Sequence, residues 1–345
     1  MASLWVTHPV GTAMTLLACT DREPLCRDKA LTQSVRTMTV TFSNMDRNVA
    51  GLVSQQLKTR NKDANEPLEV HALANEHQQE VLAFLSRRPI HTVCMAGYVR
   101  DHGVVSPLNR GTFYGCRTRT GALQGVALIG HATLLETQSN EALKVFAKLK
   151  HHYAHSHLIR GEHSMIERFW SHYAELGHEL RLACRELLFE QKCVPEIEGP
   201  IPELRPATPA ELEEVMRINA ELIQSECGID PLKRDLAGFR NRLLLRIQQE
   251  RIWTFMSDNQ LIFKADVFSE TPQMAYVEGV YVDRLYRGKG HGLRCMAQLG
   301  RILLQKSNSI CLLINERNRR LKSFYTKAGY RFRGCYDTIY LHREN

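Results

Sequence analysis

The chain has 345 residues, with 45 Lys+Arg against 37 Asp+Glu and a formal charge of +8. Its 43% hydrophobic and 24% charged residues describe an ordinary globular protein of about two domains' length, which excludes collagenous, mucin-like and wholly disordered chains. No run approaches the ~20 apolar residues of a membrane-spanning helix. With no such run, no membrane partner is expected; none of the ten cysteines pairs as C-x-x-C, so no metal is expected, and the thiols read as those of a reduced, cytoplasmic protein.

Residues 1–66 read as a weakly structured extension. They mix Thr, Ser, Asn and Arg without a sustained period and end on the polar stretch Gln56–Asp63. Leu16-Leu17-Ala18-Cys19 has the look of a lipoprotein cleavage box. However, no Lys or Arg precedes it, and Thr12 and Thr15 break the apolar run, which argues against a secretory signal. Met38 and Met45 are alternative starts.

A first α/β region spans 67–192. After a strand-to-helix segment at Val70–Val81, Thr112–Arg117 and Leu123–Leu128 form a hairpin. A helix follows at Glu141–His152, a strand at His157–Arg160 and a helix at Ser164–Leu176. Residues 193–202 form a linker, because Pro195, Pro200, Pro202, Pro206 and Pro209 are five of the twelve prolines and proline removes backbone donors.

The second region, 203–345, starts with an edge strand at Leu204-Arg205. Thr208, Pro209 and Glu211 make a capping box, and Asp230-Pro231 repeats the cap before a stripe of Leu232, Leu236, Phe239, Leu243 and Ile247. Ile252–Met256 and Gln260–Val267 flank a Ser257-Asp258-Asn259 turn, and Tyr276–Val282 is a further strand. A helix over Gly292–Gln305 and a buried strand at Ile310–Ile314 follow. Asn318 caps a helix striped by Leu321, Phe324, Tyr325 and Ala328 and ended by Gly329, and Arg331–Leu341 closes as strand. The first region repeats this order, with Val70–Val81 matching Leu204–Val215 and Phe169-Trp170 matching Phe324-Tyr325, so two copies in tandem are expected.

Tyr286-Arg287-Gly288-Lys289-Gly290-His291-Gly292 lies between a strand and a helix. Glycines let the backbone turn tightly and approach a ligand, and the following helix start offers unpaired N–H groups to an anion. The spacing is neither G-x-G-x-x-G nor a Walker loop. Residues 284–333 carry 13 Lys+Arg against Glu316 alone, a net of +12, which leaves −4 for the rest of the chain. Such a cluster suits a polyanionic ligand. No interleaved aromatic and basic platform favours nucleic acid.

Taken in order, Val277–Asp283, Arg287–Gly292, Leu312–Asn315 and Asn318–Tyr330 resemble the GCN5-related N-acetyltransferase (GNAT) family. Its pattern [Q/R]-x-x-G-x-[G/A] is matched by Arg287, Gly290 and Gly292. Its pattern N-x-x-A-x-x-F-Y-x-K-x-G-[F/Y] is matched from Asn318 to Tyr330, except that Leu321 replaces Ala. The first copy lacks the glycine loop, and Trp170 stands for Tyr325, so it is a degenerate copy.

The resemblance implies an α/β (α+β) fold with a mixed twisted sheet flanked by helices, and acetyl-CoA as co-substrate. The strand at 276–282 would splay from that at 310–315 with pantetheine between them, against the backbone of Val280, Tyr281 and Val282. The N–H groups of Gly288, Lys289, Gly290, His291, Gly292 and Leu293 would hold the pyrophosphate beside Arg287. Asn315 and Asn318 would satisfy cofactor or splayed-strand groups.

By strand alternation Glu278 shares a face with Tyr276, Val280 and Val282, opposite Val277 and Tyr281. It is the candidate base for an attacking amine, with an ion pair or an amine anchor as its other readings. Tyr325 is the candidate acid toward the thiolate, or else a core aromatic. The function expected is acetyl transfer to the primary amine of a small molecule or peptide, with a homodimer as the candidate assembly and a non-catalytic acyl-CoA-binding regulator as the alternative.

Overall fold

The computed structural model describes residues 67–341 apart from 154–155, 197–198 and 200. The expectations for residues 1–66 lie outside this range.

Among the described residues, twelve strands form one sheet. The first half contributes β1 (Glu69–Ala72), α1 (Gln78–Leu85), α2 (Pro89–His102), β2 (Gly111–Arg117), β3 (Leu123–Gly130) and β4 (Ala132–Thr137). It continues through α3 (Asn140–His151), β5 (Leu158–Glu162), α4 (His163–Ala174) and β6 (Leu180–Gln191). The second half contributes β7 (Arg205–Pro206), α5 (Leu212–Cys227), α6 (Pro231–Gln248), β8 (Ile252–Ser257), β9 (Gln260–Glu270) and β10 (Ala275–Val282). It closes with α7 (His291–Leu303), β11 (Ile310–Asn315), α8 (Arg319–Lys327) and β12 (Arg331–Leu341).

The spatial order is β1-β2-β3-β4-β5-β12-β6-β11-β10-β9-β8-β7. Each half therefore gives its last strand to the other. β12 pairs antiparallel with β5 of the first half, and β6 pairs antiparallel with β11 of the second. The two exchanged strands lie against each other from Arg331↔Glu190 to Leu341↔Leu180. β6 is buried there through Leu187, Leu188 and Phe189. The proline-rich segment thus joins two halves that share one sheet.

Local signals explain the elements around the site. Thr208 N–H donates to Glu211 at 2.7 Å, closing the capping box. Asp258 and Asn259 adopt φ of 49° and 61°, the left-handed pair that a two-residue hairpin turn needs. α6 departs from its sequence pattern: Asp235, at φ −158° and ψ 70°, kinks it. Phe239, Leu243 and Ile247 stay buried, whereas Leu236 turns out to 52% exposure.

The sheet is covered on both faces. α7 and α8 pack on β9, β10 and β11 through Cys295, Met296, Leu299 and Tyr325. α5 and α6 form a separate core through Ile218, Phe239, Leu243 and Ile247. α2 crosses from the first half onto the second. Ser269 Oγ donates to the Val93 carbonyl at 2.7 Å, and a Cβ at Gly97 would stand 1.8 Å from the Ser269 Oγ. Only glycine allows this approach of helix to strand.

Candidate functional site

β10 and β11 pair in parallel only at Ala275↔Ile310 and Tyr276↔Cys311. Beyond Tyr276 the ladder stops, while β11 stays paired with β6 as far as Asn315↔Glu186. The strands diverge here, and the β10 edge over 277–282 faces the gap.

A β-bulge shapes the same stretch. Glu278 pairs with Asp266, but Tyr281 pairs with Lys264, so β10 holds one residue more than β9. Gly279 takes φ +57°, a left-handed value suited to glycine. The extra residue reverses the strand's phase and corrects the expectation from simple alternation. Val277, Val280 and Val282 pack into the core under α7. Tyr276 and Tyr281 pack into cores on the opposite side, and Glu278 meets Arg246 of α6 there.

Glu278 lines a cavity of about 550 Å³ together with residues of both halves, among them Tyr98, Arg110, Arg246 and Tyr340. Its side chain is 32% exposed and its Oε1 stands 3.5 Å from Arg246 Nη1. Burial of the rest pushes its pKa above the usual carboxylate range, opposed by Arg246 and reinforced by Asp266. Below it lies a fully buried lysine, Lys264. Its Nζ is 2.8 Å from Asp266, donates to Asn219 Oδ1 at 2.8 Å and donates to the Gly279 carbonyl at 3.0 Å. Burial depresses the Lys264 pKa, with Asp266 opposing the shift. Arg246, Lys264 and Asp266 were missed by sequence reasoning. Their signal was a pair of charges two apart in the otherwise apolar run Leu261–Val267.

The glycine loop follows β10. Asp283 caps the short turn Arg284–Tyr286, accepting from Leu285 N–H at 2.8 Å. Gly288 (φ +77°) and Gly290 (φ +83°) are left-handed, and a Cβ at either would meet nothing within 4 Å. Gly292 differs. It is buried in α7, and a Cβ there would stand 3.0 Å from Val282 and 3.2 Å from Phe324, so it serves helix-to-strand packing. Arg287 Nε donates to the Val282 carbonyl at 2.9 Å, fixing the loop to the strand end. Lys289 lies 5.3 Å over the Tyr286 ring. His291 packs between Tyr286 and Phe255, and its Nδ1 is buried without a hydrogen-bond partner among the described residues. Leu293 is half-buried against the α7 core.

Tyr325 is 4% exposed, edge-on to Phe324 and Tyr330 at centroid distances of 5.0 and 5.6 Å. Burial raises its pKa, so the phenol keeps its proton. Asn318 caps α8 by accepting from Leu321 N–H at 3.1 Å, and Asn315 accepts from Arg317 N–H at 3.0 Å. Both side chains are engaged in turns of their own backbone.

The matching place in the first half is closed. β4 and β5 pair at 132–134 and 158–160, and beyond them Arg88 ties Glu136 to Glu162. A cavity of only about 40 Å³ lies there, lined by Leu134 and Gly161 together with His91 and Cys94 of α2. Phe169 is fully buried and Trp170 half-exposed, the reverse of Phe324 and Tyr325.

Residues 220–330 match the acetyltransferase (GNAT) family. No curated protein sequence matches the chain. Three solved structures align over both halves. A Drosophila protein does so at a TM-score of 0.56 and 12% identity, covering 80% of this chain and 99% of its own. A GNAT-family acetyltransferase from Colwellia psychrerythraea gives 0.51 and 10%, covering 80% and 100%. A GCN5-related N-acetyltransferase from Sphaerobacter thermophilus gives 0.51 and 11%, covering 81% and 96%. At such identities the likeness is one of fold. Among the described residues, no helix is long and apolar enough to cross a membrane.

Proposed function

We propose that this chain, whose residues 220–330 match the acetyltransferase (GNAT) family, moves an acetyl group from acetyl-CoA directly onto a primary amine. The observation that carries this reading is the divergence of β10 from β11 at Tyr276/Cys311, with Glu278 on one side and the glycine loop at the strand's end. A pantetheine arm suits the free edge of β10, where the backbone of Val280, Tyr281 and Val282 has groups to pair. The open space over Gly288 and Gly290, the N–H groups opening α7 and the orphaned His291 Nδ1 suit a pyrophosphate.

In the proposed step, Glu278 takes a proton from the amine. The nitrogen bonds to the thioester carbonyl carbon, the carbon–sulfur bond breaks, and Tyr325 returns a proton to the departing sulfur. A base works best with a pKa near the operating pH, and burial moves Glu278 in that direction while Arg246 limits the shift. Residues 203–345 would be the catalytic half. Residues 67–192, joined through 193–202, would wall the acceptor cavity.

The test is release of free CoA thiol across a panel of primary amines. Amine-dependent release that tracks acetylated product supports the reading. A protein that binds acetyl-CoA by calorimetry yet gives no amine-dependent release with any amine overturns it.

A further inference from the structure

We infer that the acceptor is a small amine bearing an anionic group, a carboxylate or a phosphate, seated by Arg110 of the first half. The inference deepens the transferase reading and rests on it, because it takes Glu278 as the place of chemistry.

The cavity beside Glu278 has a volume of about 550 Å³, within the ~300–1,000 Å³ of small-molecule sites. Its wall carries Arg110, Arg234, Arg242, Arg246 and Arg251 against the carboxylates Asp101, Asp235 and Glu278. Each carboxylate already has an arginine: Asp101 with Arg251 at 3.3 Å, Asp235 with Arg242 at 3.0 Å and Glu278 with Arg246 at 3.5 Å.

Arg110 has no ion-pair partner among the described residues. Burial, and after it the like charge of Arg242, depresses its pKa, with Tyr98 and Asp235 opposing the shift. A guanidinium placed against another in a cavity wall is stabilised by an incoming anion, which it binds with paired N–H donors.

Arg110 is also held in place from behind. Its backbone takes φ +55°, a left-handed value uncommon outside glycine. Its carbonyl accepts from His131 N–H at 2.8 Å, and a Cβ at Gly130 would stand 2.2 Å from that carbonyl oxygen. The side chain thus reaches the cavity from a strained, fixed backbone rather than from a free loop. The surplus of arginine disfavours polyamines and lysine-rich segments, and the volume disfavours long peptides.

The experiment uses the full chain with three acceptor series of matched length: ω-amino acids, aminoalkyl phosphates and plain alkylamines. kcat/KM is read from thiol release, and binding of the same compounds is read by calorimetry. At least one anionic series is expected to exceed alkylamines by about 10- to 100-fold, as for a hydrogen bond to a charged group. The series that wins distinguishes carboxylate from phosphate.

Arg110→Asn, chosen because Asn tolerates the left-handed backbone, should abolish the preference through KM rather than kcat. Arg110→Lys should retain part of it, and thermal melts would check folding of both. Alkylamines reacting or binding as well as both anionic series, or an undiminished preference in Arg110→Asn, overturns the inference while leaving the transferase reading intact. Absence of turnover with every amine defeats the transferase reading instead, and the calorimetric arm then decides the anion site alone.

Discussion

Lys264 Nζ donates to the carbonyl oxygen of Gly279 at 3.0 Å, across the β-bulge that separates Glu278 from Val280. A fully buried ammonium has few places to bond, and this one ties Asp266, Asn219 and the bulge together. The bulge turns Val280 and Val282 onto the face opposite Glu278 and Tyr281, so a core lysine braces the strand just after the candidate base without lining the acceptor cavity.

Lys264→Met should therefore destabilise the fold by about 3–5 kcal/mol in denaturant unfolding, because it leaves Asp266 buried without its nearest cation. Pairing it with Asp266→Leu should restore part of the loss. Gly279→Ala should cost about 1–2 kcal/mol for the left-handed backbone and reduce turnover more than acetyl-CoA affinity. A loss under about 1 kcal/mol in Lys264→Met would show that the network is not structural.

Glu278→Gln is expected to lower turnover by about 10²–10⁴-fold with acetyl-CoA affinity retained. Because the wild-type carboxyl has a raised pKa, activity should fall as pH drops through that raised value, and the variant should lack this acidic limb. Arg246→Met removes a group that lowers the Glu278 pKa, so it should move the limb to higher pH. Stability has its own sign. A carboxyl whose folded pKa is raised contributes fully below the unfolded value of 4.5, and the contribution is lost as pH rises through the folded value. Glu278→Gln should flatten that part of the stability profile. Unchanged pH–rate limbs in the variant would make Glu278 a binding group only.

Gly290 and Gly292 should separate experimentally. Gly290→Val places a branched residue at φ +83° on the face open to solvent, and it is expected to lose acetyl-CoA binding in calorimetry with a modest change in melting temperature. Gly292→Val collides with Val282 and Phe324 and should lose stability as well as binding. Full acetyl-CoA affinity in folded Gly290→Val would remove the loop from the site.

Tyr325→Phe keeps the ring packed against Phe324 and Tyr330, so unfolding should change little. As the acid toward sulfur, Tyr325 should be worth about 10²–10⁴-fold in turnover. The defect should shrink with donors whose leaving thiol is more acidic. Wild-type turnover with acetyl-CoA, measured where chemistry limits the rate, would leave Tyr325 a core aromatic.

A fragment of residues 200–345 lacks β6, which lies between β11 and β12. Circular dichroism and size exclusion should show it unfolded or associated, since both strand edges and the contacts of Leu187 and Phe189 are exposed. Starting the fragment at residue 178 restores β6 and should recover more native structure. A monomeric, cooperatively melting 200–345 fragment would show that the exchange is dispensable.

Local chemistry made much of this protein legible in its sequence. Thr208 and Glu211, Asp230 and Pro231, the Asp258-Asn259 turn and the Asn318 cap act within a few residues of themselves, and the elements they announce are present. The glycine loop was likewise visible, because left-handed backbone at Gly288 and Gly290 has to be written as glycine. What depends on partners far along the chain was not. Alternation placed Glu278 on the face of Tyr276, but the turn of Val280 and Val282 to the other face follows from a one-residue bulge against Asp266 and Lys264, which strand periodicity cannot register. The neighbourhood of Arg110 and Glu278 in one cavity, 168 positions apart, requires α2 of the first half to lie on β9 of the second. The exchange of β6 and β12 was hidden for the same reason. Strand pairing is a contest among edges with similar hydrogen bonds, and packing of the whole sheet settles it.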